Sequence, residues 1–97
     1  MAKKIGADRK REARTLAQAL GAVLTDLRTA KGWPQETVAE RSGYSVGYVR
    51  ETELGGNPSL ELLTAFAGTF SMAVSDLVRA AEDRVRQNST VPVQPKK

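Results

Sequence analysis

The sequence predicts an all-α protein built from five helices. Apolar residues recur at steps of three and four along most of the chain, as they do on the buried face of an amphipathic helix. Glycine, proline and serine interrupt this pattern where helices would end and begin again. No segment alternates apolar and polar residues in the manner of a β-strand. The 97 residues, 40 % of them hydrophobic, suffice for one small domain.

The first helix is expected over about residues 16–31. Its apolar stripe consists of Leu16, Leu20, Val23, Leu24 and Leu27. Thr15 and Gln18 have the spacing of a capping box, and Gly32 is suited to a left-handed C-cap. Residues 9–14 are also rich in helix formers, which leaves an earlier start open.

The next two helices are expected to be short and joined by a tight turn. Pro34 suits the start of a helix over 35–42, and Ser45 suits the N-cap of a helix that runs to about residue 54. Gly43 supplies the positive φ that the turn needs, and Ala39 is small enough for the two backbones to approach. Two short helices in this arrangement are a helix-turn-helix candidate.

A glycine- and proline-containing loop over 55–58 precedes the last two helices. Ser59 caps the fourth helix, whose apolar residues are Leu60, Leu63, Phe66, Ala67 and Phe70. The fifth carries a stripe of Val74, Leu77, Val78, Ala81 and Val85. Because this stripe continues past residue 80, we expect it to be exposed on a lone domain and buried against a second copy in a symmetric dimer.

The two ends of the chain carry the positive charge. Residues 1–14 are expected to form a flexible basic arm with net charge +4, residues 15–87 a domain with net charge −2, and residues 88–97 a disordered tail. The arm is either a solvated segment or a surface that follows a polyanion, and composition alone does not decide between the two. Its basic residues are Lys3, Lys4, Arg9, Lys10, Arg11 and Arg14.

Two missing residue types narrow the function. The sequence has no cysteine and no histidine, which excludes a disulfide scaffold, a thiol nucleophile and the commonest metal ligands. We therefore expect no enzyme, no cofactor and no metal. No apolar run approaches the length of a membrane span, and a cytoplasmic location is expected.

Residues 27–45, LRTAKGWPQETVAERSGYS, resemble the opening of the Cro/C1-type (XRE family) helix-turn-helix domain. The resemblance continues through Gly55, the string NPSL at 57–60 and Phe70, and it covers about residues 20–78. It implies a five-helix, lambda-repressor-like domain that binds double-stranded DNA, usually as a homodimer on a palindromic operator. Phage repressors, restriction–modification controllers and some antitoxins contain such domains.

The resemblance also implies roles for individual residues. Gln35 matches a glutamine that contacts a phosphate and braces a base-reading side chain. Arg28 and Glu53 match a salt bridge between the first helix and the end of the third. The residues that match the DNA-facing part of the third helix, with its cap, are Ser45, Val46, Gly47, Tyr48, Arg50 and Glu51. Arg50 is the best candidate for base reading, because a guanidinium can donate two hydrogen bonds to guanine.

Four positions depart from the family pattern. Pro34 stands where a Ser, Thr or Asn cap is usual, and Ala73 replaces a hydroxyl cap before the fifth helix. Thr52 occupies a position where a large apolar side chain normally packs, whereas Leu54 occupies a polar one. A one-residue shift at the end of the third helix would exchange these two environments.

Several alternatives remain open at this stage. Arg50 could pair with Glu51 or Glu53, Tyr48 could cover the edge of the core, and Trp33 could act as a hydrophobic staple on the first or second helix. A sequence-specific DNA-binding regulator is the leading function. The alternative is an antitoxin or adaptor whose main partner is a protein, which the net charge of −2 over residues 15–87 favours.

Overall fold

The computed structural model describes the backbone of residues 2–90 and the side chains of residues 6–88. The chain forms the helices α1 (Ala2–Ala30), α2 (Gln35–Ser42), α3 (Val46–Glu53), α4 (Leu60–Thr69) and α5 (Val74–Thr90). No strand occurs among the residues whose backbone is described. The predicted all-α, five-helix fold is therefore confirmed.

Both predicted ends need correction. The flexible arm expected over residues 1–14 is helical from Ala2 onward, so that Thr15 lies within α1 and does not begin a capping box. Residues 7–14 favour a helix because they are mostly Ala, Arg, Lys and Glu, and the Arg11 side chain pairs with Asp8 one turn earlier at 3.2 Å. At the other end, residues 88–90 continue α5, and the rest of the expected tail, 91–97, lies outside the described residues.

The core lies where α1 packs against α5 and α3, with α4 completing it. Phe66, Leu77 and Val49 are its most deeply buried large side chains. Leu77 and Ala81 have no exposed surface, so the chain buries the middle of the α5 stripe within itself. The expectation that the stripe is exposed on a lone domain is wrong for these two residues, because they belong to the same core cluster as Leu20 of α1.

The short helices begin and end at the capping residues that the sequence predicts. The Ser45 hydroxyl accepts a hydrogen bond from the Tyr48 amide at 3.3 Å, and the Ser59 hydroxyl accepts one from the Leu62 amide at 3.0 Å. Gly43 ends α2 with φ of 83°. Pro34 precedes α2 without a side-chain hydrogen bond, as the sequence predicted. The caps at Ser45 and Ser59 and the left-handed end of α2 at Gly43 were therefore predictable from local sequence signals.

At the C-terminal end of α3, Thr52 occupies the buried position and Leu54 the exposed one, as the alignment with the family pattern predicts. Thr52 is 3 % exposed, and its hydroxyl donates to the Tyr48 carbonyl oxygen at 2.8 Å. Leu54 is 79 % exposed. The one-residue shift does not occur, because the hydroxyl of Thr52 is satisfied within its own helix and can be buried without cost to hydrogen bonding.

Within the described part of the chain, no single helix has the length and apolar character of a membrane span. Helices α4 and α5 reach that character only when they are taken together, and they meet at a bend of 96°.

Candidate nucleic-acid interface

Helix α3 divides into a buried face and an exposed face. Val49 and Thr52 are buried against the rest of the domain. The residues expected to face DNA lie on the outer side: Ser45, Gly47, Tyr48, Arg50 and Glu51 are exposed, and Val46 is half-buried. The structure therefore leaves these residues accessible to solvent, apart from the half-buried Val46, and Tyr48 and Glu51 also line a groove beside the start of α4.

The guanidinium of Arg50 makes no ion pair and no hydrogen bond with any of the described residues. The alternative in which Arg50 pairs with Glu53 does not occur, because Glu53 is held by other partners. Arg50 also makes no pair with the adjacent Glu51. A free guanidinium on the outer face of α3 is available for an external acceptor.

The predicted salt bridge between Arg28 and Glu53 is present. The Arg28 Nε atom donates to Glu53 Oε2 at 2.6 Å, and Nη2 donates to Oε1 at 3.1 Å. The remaining Nη1 donates to the Trp33 carbonyl oxygen at 2.9 Å. One guanidinium thus joins α1, the turn before α2 and the end of α3, and its fork geometry fixes their relative orientation.

Gln35 has a partner that the sequence analysis missed. Its Nε2 atom donates to Glu53 Oε1 at 2.9 Å, so Glu53 receives hydrogen bonds from both α1 and α2. Gln35 and Glu53 are 18 positions apart and belong to different helices. No local pattern could indicate this contact, since it exists only because α2 and α3 pack together.

The environment of Glu53 stabilises its ionised form. Burial alone would raise the pKa of this carboxyl group, but the hydrogen bonds from Arg28 and Gln35 outweigh it and hold the pKa below its ordinary value. The hydrogen bond to Glu53 likewise raises the pKa of Arg28. Both groups are therefore charged at neutral pH, which keeps the start of α2 fixed relative to α3.

Trp33 packs in the turn between α1 and α2. Its ring stacks on Phe70 at a centroid distance of 5.8 Å, with the planes 26° apart. The Arg41 guanidinium lies 4.5 Å from the ring centroid and the Lys31 ammonium lies 5.3 Å from it. Trp33 is thus a packing residue, as one alternative predicted, and it contacts Phe70 at the end of α4 as well as Arg41 of α2.

Tyr48 is 55 % exposed. Its ring meets Tyr44 in an edge-to-face contact at 5.9 Å. Tyr44 is half-buried, and burial raises the pKa of its hydroxyl group, as does a hydrogen bond with Glu61. Tyr48 therefore packs against the partly buried Tyr44 and leaves about half of its surface accessible to solvent.

The basic residues of the expected arm lie along the N-terminal half of α1. Arg9, Lys10, Arg11 and Arg14 are exposed, and the side chains of Lys3 and Lys4 lie outside those described. Among the described residues there is no cluster of three or more acidic side chains that could hold a metal ion.

Comparison with known proteins agrees with this geometry. The sequence model of a family described as "Helix-turn-helix domain" matches residues 19–81. A solved structure of the clp gene regulator ClgR from Corynebacterium glutamicum superposes with a TM-score of 0.72 and 32 % identity, covering 79 % of this chain and 83 % of that one.

A second structure of ClgR from the same organism gives a TM-score of 0.64 and 36 % identity, covering 70 % of this chain and 90 % of that one. No curated protein sequence matches the chain significantly. The family match spans α2 and α3 with the helices that support them, and the neighbours are gene regulators. The chain therefore belongs to the helix-turn-helix family of DNA-binding transcriptional regulators and has the Cro/C1-type fold that its sequence resembles.

Proposed function

We propose that this protein is a sequence-specific transcriptional regulator that binds a palindromic operator in double-stranded DNA as a homodimer, of the repressor or restriction–modification controller type. The observation that carries the proposal is Arg50. It is exposed on α3 without a partner among the described residues, while the nearby carboxylate of Glu53 is held by Arg28 and Gln35. A DNA-binding protein of this kind would act in the cytoplasm, and neither a cofactor nor a catalytic role is proposed.

The exposed face of α3 supplies chemistry for reading base edges in the major groove. Arg50 matches the O6 and N7 acceptors of guanine, and Glu51 can accept from the amino group of cytosine. Val46 can contact a thymine methyl group, and Gly47 allows the backbone to approach the bases closely. The hydroxyl groups of Tyr48 and Ser45 are further hydrogen-bonding groups on α3 and at its start.

Gln35 and Arg28 are proposed to position the protein on the DNA backbone. Both side chains meet at Glu53, yet Gln35 remains half-buried at the first turn of α2 and is not fully enclosed. Contacts to phosphates orient a protein on the duplex but carry no direct sequence information. We therefore assign affinity to these two residues and specificity to Arg50.

The stripe of α5 that the sequence suggested as the dimer interface is not available at Leu77 and Ala81, because both are buried within the chain. The homodimer therefore needs a different surface. Two leucines at the ends of the α3–α4 loop support one: Leu54 is 79 % exposed and Leu60 is 73 % exposed. Large exposed apolar side chains that flank one loop are typical of an interaction surface. To read half-sites one helical turn apart, the dimer would need its two copies of α3 about 34 Å apart.

The test is selection of bound sequences from a random pool of duplex DNA, followed by sedimentation of the protein with the selected duplex. We expect enrichment of two inverted half-sites whose centres are about 10 base pairs apart, and a complex of two protein chains per duplex. Enrichment of no sequence would reject base readout, and one chain per duplex would reject the homodimer.

The adaptor or antitoxin alternative is favoured by one feature, the net charge of −2 over residues 15–87. A domain without a positive excess gains little non-specific attraction to DNA. If the selection enriches nothing and one protein co-purifies with the chain at equal stoichiometry, the alternative is the better description.

A further inference from the structure

The N-terminal half of α1 carries basic residues on two different sides, and the two sides face different parts of the fold. Lys10 and Arg14, one helical turn apart, line a groove together with Gly55 and Asn57 of the α3–α4 loop. Arg9 and Arg11 line another groove, beside Val85 and other residues near the C-terminal end of α5. The basic segment is therefore not one undivided positive surface.

The loop that borders Lys10 and Arg14 is joined by hydrogen bonds to α3, the helix that is proposed to read the bases. The Gly55 amide donates to the Thr52 carbonyl oxygen at 3.0 Å, and the Gly56 amide donates to the Glu51 carbonyl oxygen at 2.9 Å. On its other side the loop packs on α1, where a Cβ at Gly55 would lie 3.0 Å from the Gln18 Cγ atom. The helix that carries Lys10 and Arg14 is thus connected to α3 through this loop.

The charges in the two grooves differ. The groove at the loop is lined by Lys10 and Arg14 and by no carboxylate. The groove at α5 contains three carboxylates, from Asp8, Glu12 and Glu82, beside its arginines. Arg11 also pairs with Asp8 at 3.2 Å. Only the first groove presents an uncompensated positive charge to a polyanion.

We infer that Lys10 and Arg14 are a phosphate-binding pair that extends the DNA-binding surface from α3 along the sugar–phosphate backbone, whereas Arg9 and Arg11 are not part of that surface. The inference rests on the proposed function and refines it, because it divides the basic residues of α1 into two groups. The ligand is the row of phosphates next to the bases that α3 reads. Such contacts raise affinity with little effect on sequence preference.

Two double variants with the same change in net charge test the inference. Lys10→Gln with Arg14→Gln removes the pair at the loop, and Arg9→Gln with Arg11→Gln removes the pair at α5. Glutamine preserves helix propensity, and circular dichroism verifies that each variant folds. Binding to a fluorophore-labelled 30-base-pair duplex of mixed sequence is measured by anisotropy over a series of NaCl concentrations.

For the loop-side variant, we expect the slope of log K against log salt to become shallower by about 1.8 units per protomer, since each lost phosphate contact removes about 0.9. The α5-side variant should lose less than half as much. Equal slopes for the two variants would overturn the inference, because net charge alone would then explain binding. A wild-type slope in the loop-side variant would overturn it as well. If the wild-type protein does not bind the duplex at low salt, the proposed function itself fails, and the wild-type measurement alone reveals this.

Discussion

Gly21 of α1 lies directly against the carbonyl oxygen of Thr52 at the end of α3. A Cβ atom at position 21 would be 2.5 Å from that oxygen and 2.6 Å from the carbonyl oxygen of Glu53. Both neighbours are backbone atoms, so no side-chain rotation could relieve the contact. Helix α3 is thus packed on α1 through a position that has no room for a side chain.

We therefore expect Gly21→Ala to lower the free energy of unfolding by about 1–3 kcal/mol, the usual cost of overpacking, despite the better helix propensity of alanine. Gly68 is the control, because it lies within α4 and a Cβ there would meet nothing within 4 Å. Gly68→Ala should raise stability by about 0.4–1 kcal/mol. Urea unfolding followed by circular dichroism measures both, and equal stabilisation of the two variants would contradict the close contact.

The second prediction concerns the contribution of Glu53 to the free energy of unfolding and its dependence on pH. Its pKa in the folded protein is below the ordinary value of about 4.3 for an unfolded chain, so its ionisation contributes stability that is present above that value. This contribution is lost as the pH falls through the folded pKa. Glu53→Gln should cost roughly 1.5–3 kcal/mol at pH 7, the range for a hydrogen bond to a charged group, and the difference from wild type should shrink below about pH 4.

Urea unfolding at a series of pH values between 7 and 3 measures this effect. Glu40→Gln is the matched control, since it removes an exposed carboxylate of α2 that has no ion pair among the described residues. Its stability should follow that of wild type at each pH. A gap between Glu53→Gln and wild type that stays constant down to pH 3 would show that the ionisation of Glu53 is not the source of the stability.

The third prediction separates folding from binding at Gly47. A Cβ there would meet only the Ser45 Oγ atom, at an ordinary distance of 3.7 Å. Gly47→Ala should therefore leave the free protein as stable as wild type or raise its stability by up to about 1 kcal/mol. Operator binding should weaken by about tenfold, or about 1.4 kcal/mol, because the added methyl group keeps the backbone of α3 away from the bases. Anisotropy titration of the selected duplex decides this, and unchanged affinity would mean that the bases do not approach Gly47.

The fourth prediction compares Arg50 with Gln35. Arg50→Ala should weaken binding to the selected operator by about 1–3 kcal/mol and weaken binding to random duplex DNA much less, because base contacts discriminate between sequences. Gln35→Ala should weaken binding to both DNAs by similar factors. The ratio of the two dissociation constants for each variant is the measurement. An equal loss on both DNAs for Arg50→Ala would make Arg50 a phosphate contact.

The features that could be predicted from the sequence are those with local causes. Ser45 and Ser59 cap the amides three residues further on, and Gly43 adopts its positive φ within a single turn. The salt bridge of Arg28 with Glu53 is not local, and it was predictable only through the family resemblance. Helix boundaries at α2 and α4 follow from these signals because each cap acts within three or four residues.

The features that the sequence did not reveal depend on tertiary packing. The sequence predicts a flexible basic arm over residues 1–14, although residues 9–14 are good helix formers, and α1 in fact begins at Ala2. The burial of Leu77 and Ala81 within the stripe of α5 was not predicted either, because it results from the packing of α5 against α1 in the assembled domain. The contact of Gln35 with Glu53 likewise requires the assembled helices.

The continuous α1 helix changes the thermodynamics expected for contacts made by Lys10 and Arg14. Ordering the backbone of a flexible segment costs about 1–2 kcal/mol per residue, and a disordered arm would incur that cost each time it settled on DNA. In this protein the segment is already helical, so the entropy is lost when the chain folds. Association with DNA should then lack the large negative heat-capacity change of coupled folding and binding, and each phosphate contact should contribute its full electrostatic gain.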